Sequence, residues 1–111
     1  MNFGEAVRGA RTERGISLTN LAKGLGVTKV YVSDVERGRR APFNLIRIRQ
    51  VSEILGCDPF HLYVLAVRSR GHVTLPTSDV SEEQSRFAAE LSYRWGDFSN
   101  DELSRLIGVL E

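Results

Sequence analysis

The chain has 111 residues, 41% apolar and 26% charged, with a net charge of +1; that length supports one hydrophobic core and a short accessory element, not two independent cores. No apolar run approaches the roughly 18 residues needed to cross a bilayer, and the N-terminus lacks a signal-peptide core. The lone cysteine, Cys57, excludes an internal disulfide, and the two scattered histidines, His61 and His72, leave no metal-ligand set, so an ordinary cytoplasmic globular protein without metal or cofactor is expected.

Helix punctuation is regular along the first 70 residues. Asn2 can cap a first helix, with Glu5 three residues later to complete a capping box, Phe3, Val7 and Ala10 on one face, and Gly15 as its stop. Ser17 can cap a second helix, with Ile16 stapled to Leu21. Thr28 caps a third, with Val27 and Val32 in the same relation, and Gly38 follows its end. Asn44, flanked by Phe43 and Ile48, opens a fourth helix that stops at Gly56. Asp58 opens a fifth, with Pro59 at the first helical position, where its missing N–H costs nothing. Sustained alternation of period two is absent, so residues 1–70 are expected to be five short helices.

Residues 71–79 read as a linker, in which Val73 and Leu75 alternate with polar residues and suggest a short extended segment. Residues 80–111 read as a helical hairpin. Ser81 with Gln84 and Ser99 with Glu102 form two capping boxes, and Phe98 can staple Leu103. Phe87, Leu91 and Trp95 mark one face of the first helix; Leu103, Leu106, Ile107 and Leu110 mark one face of the second. A hairpin this small cannot bury these stripes alone, so they are expected to pack on the head, on a second copy or on another protein.

The charge divides in the same place. Residues 1–70 carry twelve Lys and Arg against six acids, a net of +6, whereas residues 71–111 carry three against eight, a net of −5. A polyanion-binding head and a tail that stays off that surface would produce this asymmetry. Two solvated faces of drifting composition would produce it too.

The segment from Leu18 to Arg37 is the most informative. Two helices joined by a three-residue turn need a small residue where their axes approach, which Ala22 supplies, and a turn residue that tolerates positive φ, which Gly26 supplies. Leu21, Leu25, Val27, Val32 and Val35 then form a buried seam, leaving Lys29, Val30, Ser33, Asp34 and Arg37 facing outward. This is a helix-turn-helix pattern. With Arg11 on helix 1, Leu21-Ala22, Leu25-Gly26-Val27, Tyr31-Val32-Ser33, Val35-Glu36-Arg37-Gly38, Pro42 and Leu55-Gly56 before Asp58-Pro59, residues 3–67 resemble the Cro/phage-repressor (XRE) family of DNA-binding domains.

The resemblance implies an all-α, lambda-repressor-like five-helix domain that binds double-stranded DNA with helix 3 in the major groove. By position, it implies base reading by Thr28, Lys29, Val30, Ser33 and Asp34. Lys29 can donate to guanine O6/N7, Val30 can touch a thymine methyl, and Asp34 can accept from cytosine N4. Phosphate contacts fall to Ser17 and Thr19 at the start of helix 2, to Tyr31, to Arg37, Arg39 and Arg40, and to Asn44. Arg11 and Glu36 match the family's structural salt bridge. Leu18 departs from the pattern, because the family often carries a phosphate-gripping glutamine there, and Gly24 stands unexplained inside helix 2.

A homodimeric transcriptional repressor on a pseudo-palindromic operator follows as the leading expectation. Pairing would run through Val73, Leu75 and the tail stripes. The alternative is an antitoxin or other partner-neutralising protein that binds a protein through its acidic tail and regulates its own synthesis through its head. No nucleophile–base set, metal cluster or phosphate-cradling loop supports an enzyme; the G-x-G at Gly24–Gly26 follows a helix rather than a strand.

Overall fold

The local caps determine where each helix begins. The computed structural model describes all 111 residues as seven α-helices and one 3₁₀ turn, with no strand. They fall into two units, Met1–Val73 and Thr74–Glu111, which are described separately.

The first unit holds α1 (Phe3–Glu13), α2 (Leu18–Leu25), α3 (Lys29–Glu36), α4 (Leu45–Leu55) and α5 (Pro59–Arg70). Asn2, Ser17, Thr28, Asn44 and Asp58 each accept a backbone N–H of the first turn they precede, and Asn2 and Glu5 form a complete capping box. These bonds satisfy donors that a helix start would otherwise leave open. α2, α4 and α5 end on Gly26, Gly56 and Gly71, all in the left-handed region that a Cβ disfavours.

The apolar faces converge on one core. Val7, Leu21, Val32, Phe43, Ile48, Val51 and Ala66 are fully buried. Phe43, from the α3–α4 loop, packs edge-on to Phe3 with centroids 5.7 Å apart and stacks with Tyr31 at 5.8 Å. The core is bridged by a buried ion pair. Arg11 Nε donates to Glu36 Oε2 at 2.8 Å and its Nη2 to Oε1 at 3.0 Å, while Nη1 donates to the Ile16 carbonyl at 3.0 Å. The hydrogen bond to Glu36 raises the Arg11 pKa above its ordinary value against the opposing effect of burial. The pair ties α1 to α3.

Three further contacts set the helix packing. A Cβ on Gly4 would sit 2.7 Å from the Val35 carbonyl oxygen, so only glycine lets α1 cross the end of α3. A Cβ on Gly24 would meet only the Ile54 side chain, with Cδ1 at 2.9 Å; that flexible tip can turn aside, so the glycine eases the approach of α4 without being demanded by it. Arg70, at the end of α5, donates to the carbonyls of Pro42 and Phe43 at 2.6 and 2.9 Å and closes the α3–α4 loop.

The second unit holds α6 (Glu82–Tyr93), a 3₁₀ turn (Trp95–Asp97) and α7 (Asn100–Leu110). Ser99 and Glu102 form the expected capping box. At Ser81 only half of the expected box is present: its side chain accepts the Gln84 N–H, without the reciprocal bond. No residue of α6 or α7 is buried. The extended segment suggested around Val73 and Leu75 forms no strand, since a strand needs an edge to pair with and an all-helical chain offers none. Trp95 does not extend the face of α6, because that helix ends at Tyr93 and the chain tightens into the 3₁₀ turn.

Candidate nucleic-acid interface

The turn between α2 and α3 is built as its residues require. Gly26 adopts φ 69° and ψ 31°, and its N–H and that of Val27 return to the Ala22 carbonyl, which closes the end of α2. Thr28, two residues on, is extended and accepts the Tyr31 N–H at 3.1 Å. Ala22 is buried where the two helices meet. α3 then turns Val32, Val35 and Glu36 inward, which forces the intervening positions outward.

On that outer face Lys29, Val30 and Arg37 are exposed, and Ser33 and Asp34 are half-buried. Leu18, Lys29, Val30, Ser33, Asp34, Arg37 and Arg39 line one shallow concavity. Four of the five residues expected to read bases thus share a surface. Thr28 stands at its edge with its oxygen engaged as a cap. Val30 is 68% exposed, an apolar side chain at the crest of a helix that has no reason to point at water. Leu18 fills the position where the resemblance expected glutamine, and it packs partly against the core.

A cationic rim borders this face. After α3 the backbone folds back, with the N–H groups of Arg39 and Arg40 donating to the Asp34 carbonyl at 2.8 and 3.3 Å, which holds Arg37, Arg39 and Arg40 beside α3. The chain has two salt bridges, Arg11–Glu36 and Arg86–Glu90, so Lys29, Arg37, Arg39, Arg40 and Arg47 are all without a carboxylate partner. Ser17 and Asn44 spend their side-chain oxygens on the N–H groups of Asn20 and Arg47, while Thr19 is exposed. Tyr31 is not a free hydroxyl on the surface. It accepts from Arg47 Nη1 at 3.2 Å, and its ring lies against Phe43.

The sequence profile of the helix-turn-helix family matches residues 7–62, half of the chain. The chain belongs to the helix-turn-helix family of XRE-type DNA-binding transcriptional regulators. Among solved structures, this helix-turn-helix regulator is similar to SinR, the master regulator for biofilm formation, in complex with DNA; identity is 31% with a TM-score of 0.51, covering 55% of this chain and 97% of that one. The N-terminal DNA-binding domain of SinR from Bacillus subtilis matches with 31% identity and a TM-score of 0.50, over 55% of this chain and 88% of that one. A complex of the SinR and SinI proteins matches with 27% identity and a TM-score of 0.50, over 86% of this chain and 99% of that one. No curated protein matches significantly.

The helix-turn-helix regulator has residues in and around its interface that sequence reasoning missed. Arg47 lies under the rim although nothing in its local spacing points to Tyr31, 16 positions earlier. Gly4 and Arg70 shape the α3–α4 region from opposite ends of the first unit. In the second unit, Phe87, Trp95, Leu106, Ile107 and Leu110 are exposed, and Leu91, Phe98 and Leu103 are half-buried. Val73 and Leu75 are exposed as well, and Arg94 covers part of the Phe98 ring at 5.9 Å. Apolar exposure is not confined to the tail, for Ile46, Phe60 and Val64 are also open on α4 and α5. No group of His, Cys, Asp and Glu is placed to hold a metal, and no helix is long and apolar enough to cross a membrane.

Proposed function

We propose that the chain is a homodimeric repressor that reads a pseudo-palindromic operator in double-stranded DNA, in the cytoplasm. One observation carries the reading: the outer face of α3 gathers Lys29, Val30, Ser33 and Asp34 inside a rim of arginines that no carboxylate neutralises. In a major groove, Lys29 donates to guanine O6/N7, Val30 meets a thymine methyl, and Asp34 accepts from cytosine N4, with Thr28 and Ser33 beside them. Ser17, Thr19, Arg37, Arg39, Arg40 and Asn44 take the phosphates and fix register. Residues 1–70 are the reading head, 71–79 the linker and 80–111 the pairing element. Two heads are needed because one head of this size buries too little DNA surface to single out an operator in a genome.

A second reading keeps the DNA head and gives the tail a different protein to bind, as in an antitoxin. The exposed stripe on α6 and α7 favours it, and so does the match to the SinR–SinI complex, whose 86% coverage extends beyond the head. Selection from a random duplex pool at near-physiological salt separates these readings. Enrichment of an inverted repeat by the protein alone supports the homodimer. Enrichment of a half-site alone shifts the tail to a foreign partner, and no enrichment refutes base reading by α3.

A further inference from the structure

Two guanidinium groups gather on the Tyr31 ring. Arg40 Cζ lies 5.0 Å and Arg47 Cζ 5.4 Å from its centroid, and Arg47 Nη1 also donates to its hydroxyl oxygen at 3.2 Å. The ring is held in turn by stacking on Phe43, which is fully buried. Like charges brought to one ring repel. The ring's negative face offsets that repulsion only in part, and neither arginine is in a salt bridge. The arrangement is short of an anion.

Its location says which anion. Arg40 belongs to the rim that folds back beside α3, and Arg47 sits in the first turn of α4, where the helix N-terminus adds positive potential. We propose that Arg40 and Arg47, gathered on Tyr31, form a preassembled clamp for a backbone phosphate of duplex DNA, with Tyr31 as its positioning residue. This rests on the DNA reading above and adds Arg47 to it. It also changes the part given to Tyr31 from direct ligand to organiser. Because Arg47 is already tied to Tyr31, part of its side-chain entropy is lost on folding rather than on binding. The bond spans α4 to α3, so the phosphate grip is passed directly to the reading helix.

The test uses the full chain, the duplex enriched by selection and a duplex of unrelated sequence, each titrated across a salt series. Arg47→Gln is expected to weaken both duplexes by roughly tenfold and to lower the salt slope by about one, as loss of a single phosphate contact does. Arg47→Lys keeps the charge, so the slope is retained while affinity stays below wild type. Tyr31→Phe keeps the ring and frees Arg47, giving a loss of roughly threefold with the slope unchanged. Unaltered thermal unfolding of Arg47→Lys and Tyr31→Phe keeps the comparison valid if Arg47→Gln folds poorly. An unchanged slope in Arg47→Gln overturns the clamp, as does a loss confined to the selected duplex, which would make Arg47 a base reader. If the wild-type chain binds neither duplex, the DNA reading itself falls, and the clamp with it.

Discussion

The two units are built from the same local elements and end in different states. Both begin their helices on Ser, Thr, Asn or Asp side chains that accept a first-turn N–H, and both carry apolar stripes. In the first unit those stripes meet: Val7, Leu21, Val32, Ile48 and Val51 are all at 0% exposure around Phe43. In the second, no residue of α6 or α7 is fully buried, and Trp95 and Ile107 remain 64% and 53% exposed. Capping and amphipathicity make a helix. Only a third and fourth helix arriving from other directions make a core, because burying one stripe needs surfaces on several sides. The second unit therefore leaves its apolar stripes without a core of their own, whereas the first keeps only scattered apolar side chains such as Val30, Ile46 and Phe60 outside its core.

The sharpest way to break this contrast is a pair of matched truncations. Phe43→Ala should cost about 3–5 kcal/mol in urea unfolding, as full burial of a phenylalanine requires. Phe87→Ala should cost under about 0.5 kcal/mol in dilute protein, the usual range for an exposed site. Equal losses would mean that the tail stripe is covered in solution. Glu36→Gln comes next. It leaves the Arg11 guanidinium buried without a countercharge, at a cost on the order of 3 kcal/mol, and the same denaturation series reports it.

Lys29→Ala and Arg39→Ala sharpen the comparison at the interface. Lys29→Ala should cost about 1–3 kcal/mol on the selected duplex and relax preference at one base position. Arg39→Ala should weaken all duplexes alike and lower the salt slope by about one. If both mutants lose affinity uniformly, Lys29 grips phosphate instead. The smallest effect belongs to the tail. Hydrogen bonds from the Ser99 backbone N–H and side chain, in that order, hold the Glu102 carboxyl below its ordinary value of 4.5. A depressed native pKa contributes stability above the ordinary value and loses it as pH falls through the native one. Helical circular dichroism should therefore decline slightly below the ordinary carboxylate range, and Glu102→Gln should remove that pH dependence.

Caps could be read from single positions because each is a contact over two or three residues: Asn2 to Glu5, Ser17 to Asn20, Thr28 to Tyr31, Asn44 to Arg47, Asp58 to Phe60 and Ser99 to Glu102. The helix-turn-helix was legible for the same reason, since Ala22, Gly26 and Thr28 are local demands of one tight turn. So was the outward set on α3, because Val32 and Val35 must face the core and helical geometry then assigns the remaining positions. The 3₁₀ turn at Trp95–Asp97 was not legible. The bond that closes it, from the Asp97 N–H to the Arg94 carbonyl at 2.9 Å, has no side-chain signature.

What the sequence determined by itself, then, was the start of each helix and the direction in which α3 presents Lys29, Val30, Ser33 and Asp34. Contacts between residues far apart in the chain depend instead on how the helices pack. Gly4 is glycine because the backbone at the end of α3 passes over it, whereas Gly24 faces only the movable tip of Ile54. Arg70 reaches back 28 positions to hold Pro42, and Arg47 reaches back 16 to Tyr31. Periodicity and caps report contacts within a turn or two of helix. They carry no information about which distant backbone or ring will come within hydrogen-bonding reach, because that is decided by the angles at which the helices pack.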